Sequence, residues 1–184
     1  MTSRYVNWMS LACGVLLAVA SVAPAHAGDS AQVARGKYLV TIGSCNDCHT
    51  VGFFFGKPDM AHRLGGSDVG FAIPGLGVFV GPNLTPDKET GLGKWSTQQI
   101  ITAFTTGKLP DGRILAPIMP YEAYAHMTHS DALAIAAYLK SLPPVSHKVA
   151  GPFGPDEKVT VFVMSVQPAD IYNNLPKPPA EAKK

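Results

Sequence analysis

Cys45 and Cys48 stand three positions apart and a histidine follows at once, in Cys45-Asn46-Asp47-Cys48-His49. Two sulfurs at that spacing can each add across a vinyl group of haem, and C-x-x-C-H is the attachment signature of c-type haem. The histidine beside the second thioether is then held beneath the iron, where an imidazole nitrogen becomes the proximal ligand. A bare C-x-x-C also serves as a zinc half-site or a redox dithiol. Here the third cysteine, Cys13, lies far upstream, so no second pair completes a zinc site. One haem c, bonded to Cys45 and Cys48 and ligated by His49, is the chemistry these residues specify.

The opposite face of the iron decides what that chemistry is for. Methionine there raises the potential and favours electron transfer, whereas an open face admits ligands or peroxide chemistry. Beyond residue 27 the candidates are Met60, Met119, Met127 and Met164, with His62, His126, His129 and His147. Met119 is the best framed, between Ile118 and Pro120 and two places after Pro117. A stiff loop holds a soft thioether at a fixed distance, where a flexible one lets water compete. A loop methionine also plugs gaps in a core, so the framing alone does not settle the choice. Met127 directly precedes Thr128 and reads as a staple against Ala132 or Leu133. His126 and His129 flank a helix start and read as exposed or capping residues.

The elements that must position these groups are legible in outline. Residues 29–43 carry Val33, Leu39 and Val40 at helical spacing, with Ser30 as a cap and Gly43 as the stop before Cys45. Gly36 within that helix costs about 1 kcal/mol relative to alanine, which a close helix crossing would justify. Ser96 and Gln99 form a capping box for a second helix that Gly107 closes. A last helix starts at Thr128, capped reciprocally with Asp131, and stops at Pro143-Pro144. Residues 51–82 are rich in glycine and aromatics, too apolar for disorder, and suit wrapping a prosthetic group, with a short hairpin near Phe71–Val80. Phe53, Phe54 and Phe55 read as lining the haem pocket in preference to an exposed docking patch. A strand-like patch spans Val159–Val166, and the final residues from Pro176 are expected to be disordered.

The first 27 residues have the form of a secretory signal peptide: Arg4, an apolar run from Met9 to Val22, and Ala25-His26-Ala27 as the cleavage pattern. Cys13 falls inside the apolar run and goes with it. Removing 27 of 184 residues leaves 157, enough for one compact domain. With haem using both remaining cysteines, no disulfide is expected. Of 15 basic and 13 acidic residues only Arg4 is lost, giving 14 against 13, and two haem propionates bring the total to about −1. No basic patch speaks for nucleic acid, and near-neutrality gives weak long-range steering towards a redox partner.

In this order the motifs resemble those of class I bacterial cytochromes c. More narrowly, the chain is similar to single-haem periplasmic proteins and to the haem domains attached to membrane-associated dehydrogenases. The matching words are A-R-G-K-Y-L-V-x-x-x-x-C-x-x-C-H at 34–49, P-N-L-T-P-D at 82–87 and G-x-G-x-W-S at 91–96. G-K-L-P-D-G-R at 107–113, M-P-Y at 119–121 and A-I-A-A-Y-L-K-S-L-P-P-V at 134–145 complete them. The resemblance implies an all-α, class I cytochrome c fold, its helices packed around one covalently bound haem, with long irregular loops and a C-terminal extension. With the leader and the Pro-rich tail read from the residues, the chain divides into a signal peptide (1–27), a cytochrome c domain (28–149) and a Pro-rich extension lying on that domain (150–184). It places Gly36 at a crossing of the first and last helices near Tyr138, and carries Met119 over as the distal ligand. It also implies haem contacts from Trp95 and Arg113, with Asn83 and Tyr121 in the matching words as further candidates. An indole or guanidinium N–H can donate to a propionate.

The implied function is a soluble periplasmic electron carrier, not an enzyme, cycling Fe(III)/Fe(II) between a dehydrogenase donor and a cytochrome or oxidase acceptor. The same redox role fits a fixed subunit of a dehydrogenase complex, and a haem enzyme or sensor would need a labile sixth ligand. Membrane contact would come only through partners or an uncleaved signal. One departure stands out: multi-haem dehydrogenase subunits carry three C-x-x-C-H motifs, and this chain has one.

Overall fold

The computed structural model describes residues 27–176, so all but the last residue of the expected signal peptide, 1–27, and the last eight residues of the chain lie outside the described residues. Helix α1 runs over Ala27–Ile42 and α5 over His129–Ser141. They cross at Gly36, where an added Cβ would run into the Ala134 carbonyl and come within 2.7 Å of the Tyr138 Cβ. The glycine in α1 is therefore the condition for the helix contact. Leu39 and Val40 of α1 are buried against Ala136 and Leu139 in one apolar cluster. Arg35 adds a two-pronged link across the same crossing, its Nε and Nη2 donating to the Asp131 carboxylate at 2.8 and 3.2 Å.

Helix α3, Thr97–Thr106, begins at the expected capping box, with the Ser96 hydroxyl accepting from Gln99 N–H and the Gln99 side chain accepting from Ser96 N–H. Gly107, in the left-handed region at φ 73°, ends it. Its buried face of Ile100, Ile101 and Phe104 joins the main core. The cap of α5 is half of what the sequence suggests. Thr128 Oγ1 accepts from Asp131 N–H, but the Asp131 carboxylate turns to Arg35. An ion pair across the helix crossing wins over the return half of the cap. The Ser30 position is also corrected, since α1 is described from Ala27 and Ser30 lies within it.

Three short helices complete the set: α2 at Cys45–His49, α4 at Tyr121–Tyr124 and α6 at Ala169–Asn174. The hairpin consists of β1, Val69–Ile73, and β2, Gly77–Val80, paired antiparallel. The strand-like patch of the extension shortens to β3, Phe162–Ser165, which pairs parallel with β1 and gives the order β2-β1-β3. A fold dominated by helices thus carries one small open sheet, built from the hairpin and the extension.

Candidate functional site

The chain enters the attachment motif through an abrupt turn. Gly43 N–H closes α1 onto the Leu39 carbonyl at 2.8 Å, and Ser44 takes the left-handed conformation at φ 53°. The five residues Cys45–His49 then form a single helical turn. Thr50, fully buried, fixes its end: Thr50 Oγ1 donates to Asn46 Oδ1 at 3.3 Å and accepts from Leu64 N–H at 3.0 Å. Gly66 N–H donates to the His49 carbonyl at 2.9 Å, so the glycine-rich loop is tied back onto the motif.

His49 is 6 % exposed, and its Nδ1 lies 2.7 Å from the Pro82 carbonyl oxygen. A carbonyl can only accept, so Nδ1 carries the proton and Nε2 keeps its lone pair. Burial pushes the His49 pKa below its ordinary value, against the opposing pull of that hydrogen bond, and favours the neutral ring a metal needs. Gly81 makes this possible. A Cβ there would overlap the Cys48 carbonyl, so only glycine lets the segment 81–82 pass directly beside the motif. Neither Cys45 nor Cys48 is in a disulfide, and burial pushes the Cys45 thiol up to about 11.

Cys45, Cys48 and His49 share the wall of a cavity of about 660 Å³, within the roughly 300–1,000 Å³ of pockets that bury a cofactor-sized ligand. Its other walls are largely apolar, with Leu39, Val40, Phe104, Ile135 and Leu139 from the helices and Phe79 from the hairpin. Two convergent thiols, a neutral buried imidazole with one nitrogen free, and an apolar cavity fit haem c.

Among the expected contacts, Met119, Trp95, Asn83 and Arg113 line the cavity, and Tyr121 does not. The Tyr121 ring lies instead against Gly107, where an added Cβ would approach it to 3.1 Å. Arg113 is held by Asp111, with Nε and Nη2 each 2.8 Å from Oδ2. Asn83 is buried and fully engaged: Oδ1 accepts from Thr85 N–H and Oγ1–H, while Nδ2 donates to Thr90 Oγ1 and the Val145 carbonyl. Its amide joins chain segments, leaving little for a cofactor.

Met127 also lines the cavity, so two methionines stand in its wall. Met60 and Met164 are exposed and stand outside, as do His62, His126, His129 and His147. His62 pairs with Asp59, and His147 Nδ1 lies 2.7 Å from the Gly65 carbonyl. The Phe53–Phe55 triplet does not line the cavity either. Phe54 packs edge-on against Phe71, and Phe55 against Phe162 of β3, so the triplet supports the sheet. A further tyrosine is part of the site without having drawn attention in the sequence: Tyr124 lines the cavity and its hydroxyl donates to the Gly43 carbonyl at 3.1 Å. The residues 148–152, assigned by sequence to the end of the domain and the start of the extension, also line the cavity.

The family model for cytochrome c matches residues 33–143, which include the attachment motif, Met119, α5 and all of α1 but its first six residues. The chain belongs to the cytochrome c family. It is 33% identical over 129 residues to a nicotinate dehydrogenase subunit of Pseudomonas putida, covering 69% of this cytochrome c and 10% of that protein. It is 36% identical over 121 residues to the cytochrome c subunit of a quinone alcohol dehydrogenase from Gluconacetobacter polyoxogenes, covering 64% and 26%. A diheme cytochrome c-type protein of Cereibacter sphaeroides is 30% identical over 132 residues, covering 69% and 43%. This cytochrome c thus spans less than half the length of these relatives. Its domain is that of an electron carrier, with Cys45, Cys48 and His49 forming the haem c attachment motif.

Proposed function

We propose that this cytochrome c is the periplasmic electron-transfer subunit of a dehydrogenase complex, taking single electrons from a catalytic subunit and passing them to a cytochrome or oxidase. Haem c supplies the one-electron Fe(III)/Fe(II) couple. The protein contributes a buried neutral His49 oriented by Pro82, a largely apolar cavity, and Met119 as the sixth ligand. Met119 is preferred over Met127 because its segment is braced on both sides. Met119 N–H donates to the Ala116 carbonyl at 3.0 Å, and the Met119 carbonyl accepts from Tyr121 N–H at 2.8 Å. The His49–Pro82 hydrogen bond beside two convergent thiols carries the haem reading. The names of the relatives, nearly all subunits of dehydrogenases, carry the subunit reading over that of a free carrier.

The test is purification of the tagged full-length chain from its own host under mild conditions. Co-elution of a large oxidoreductase subunit at fixed stoichiometry, with haem reduction on adding that subunit's substrate, supports the complex. A haem protein that elutes alone and is reduced only by added soluble donors points to the free carrier.

A further inference from the structure

Beyond residue 145 the chain forms a strap pinned at both ends. At one end Thr85 Oγ1 accepts from Val145 N–H at 3.0 Å and Thr90 Oγ1 from His147 N–H at 3.1 Å. At the other, Phe153 exchanges two backbone hydrogen bonds with Val78 of β2, both 2.9 Å. Between the pins, Lys148, Val149, Ala150, Gly151 and Pro152 line the haem cavity.

A c-type haem brings two propionates into this cavity. A carboxylate removed from water requires a cation or strong donors nearby. Four charged residues are among those lining the cavity: Asp47, Glu89, Arg113 and Lys148. Glu89 is paired with Lys94 at 2.8 Å, and Arg113 with Asp111 at 2.8 Å. Lys148 has no ion pair or side-chain hydrogen bond among the described residues. The remaining titratable groups of the wall are the Tyr124 phenol and the haem-bonding Cys45, Cys48 and His49.

We propose that Lys148 is the cationic partner of a haem propionate, which makes the strap 148–152 a part of the cofactor site. Arg113, already neutralised by Asp111, is then a secondary contact. The inference requires only the attached haem and is independent of the sixth ligand and of any partner protein.

The test is the reduction potential of the purified haem-loaded protein, followed spectroscopically from acid to mildly alkaline pH. Lys148 is exposed, so its substitution leaves the core intact. Lys148→Gln is expected to lower the potential at neutral pH and Lys148→Glu to lower it further, because a positive charge beside haem favours the reduced state. The cation also favours the ionised propionate, so in Lys148→Gln the pH range over which the potential falls should move upwards. Lys148→Arg should restore the wild-type curve, and Lys158→Gln, an exposed change on the same extension, should leave it unmoved. Superimposable curves for wild type and Lys148→Gln would overturn the assignment. So would an upward move of the falling range in Arg113→Gln with none in Lys148→Gln.

Discussion

On the His49 ring two demands meet. One nitrogen must be spent on the protein so that the other is presented as a ligand with fixed orientation, and the Pro82 carbonyl takes the first. That bond depends on Gly81, whose lack of a Cβ lets the chain after β2 pass the Cys48 carbonyl. Gly81→Ala must push this segment and the motif apart, an overpacking strain of about 1–3 kcal/mol. The expected outcome is a lower yield of haem-loaded protein and a lower melting temperature, measurable by haem absorbance per unit protein and by thermal unfolding. At Tyr124 the hydroxyl ties the segment after Met119 to Gly43, two residues before Cys45. Tyr124→Phe is expected to cost about 1 kcal/mol, the usual net value of one such hydrogen bond, read as a fall in the denaturant midpoint.

At the scale of the elements, α1 and α5 form the frame on which the site hangs. Alanine normally stabilises a helix by about 1 kcal/mol over glycine, but at Gly36 the sign should reverse. The new methyl meets the Ala134 backbone and the Tyr138 Cβ, and neither gives way easily. Thermal unfolding of Gly36→Ala should show a midpoint lower by several degrees, at about 2–4 °C per kcal/mol for a domain of this size. The Arg35–Asp131 link across the same crossing is pH-dependent. The hydrogen bond from Arg35 holds the Asp131 carboxyl below its ordinary value of 3.8. Its contribution is therefore complete above that value and lost as pH falls through the lower, folded-state value. Asp131→Asn should lose stability at neutral pH and show a shallower acid decline, checked by unfolding midpoints across the acid range.

These helices were legible in the sequence because each signal is local: the box of Ser96 and Gln99, the stop at Gly107, the glycine at position 36. The attachment motif was legible for the same reason. What could not be read depended on distant partners. Asp131 had two uses, a reciprocal cap with Thr128 in its own turn and an ion pair with Arg35, and nothing local ranks them. The Phe53–Phe55 triplet read as haem-pocket lining or an exposed docking patch, and its packing on Phe71 and on Phe162 of the distant β3 makes it neither. Tyr121 and Tyr124 are close neighbours in the chain with similar prospects. The turn of α4 sends the first towards Gly107 and the second into the cavity.

Across the whole molecule, the extension completes the site. Its β3 pairs with β1, Phe153 bridges to β2, and residues 150–152 stand in the cavity wall. A chain ended after Val149 loses all three. Greater solvent access favours the ferric state, whose iron–porphyrin core carries a positive charge that the ferrous core lacks, so the reduction potential should fall below that of the full chain. An unchanged potential would mean that the extension covers no part of the haem.

The most direct test is the visible spectrum of the oxidised haem-loaded protein with Met119→Ala and Met127→Ala beside the wild type. The wild type should be low-spin, with the weak long-wavelength sulfur-to-iron band that marks methionine ligation. That band should vanish in Met119→Ala and persist in Met127→Ala. Loss in Met127→Ala alone would hand the sixth position to Met127. A high-spin wild type that binds carbon monoxide rapidly when reduced would contradict the electron-carrier site altogether.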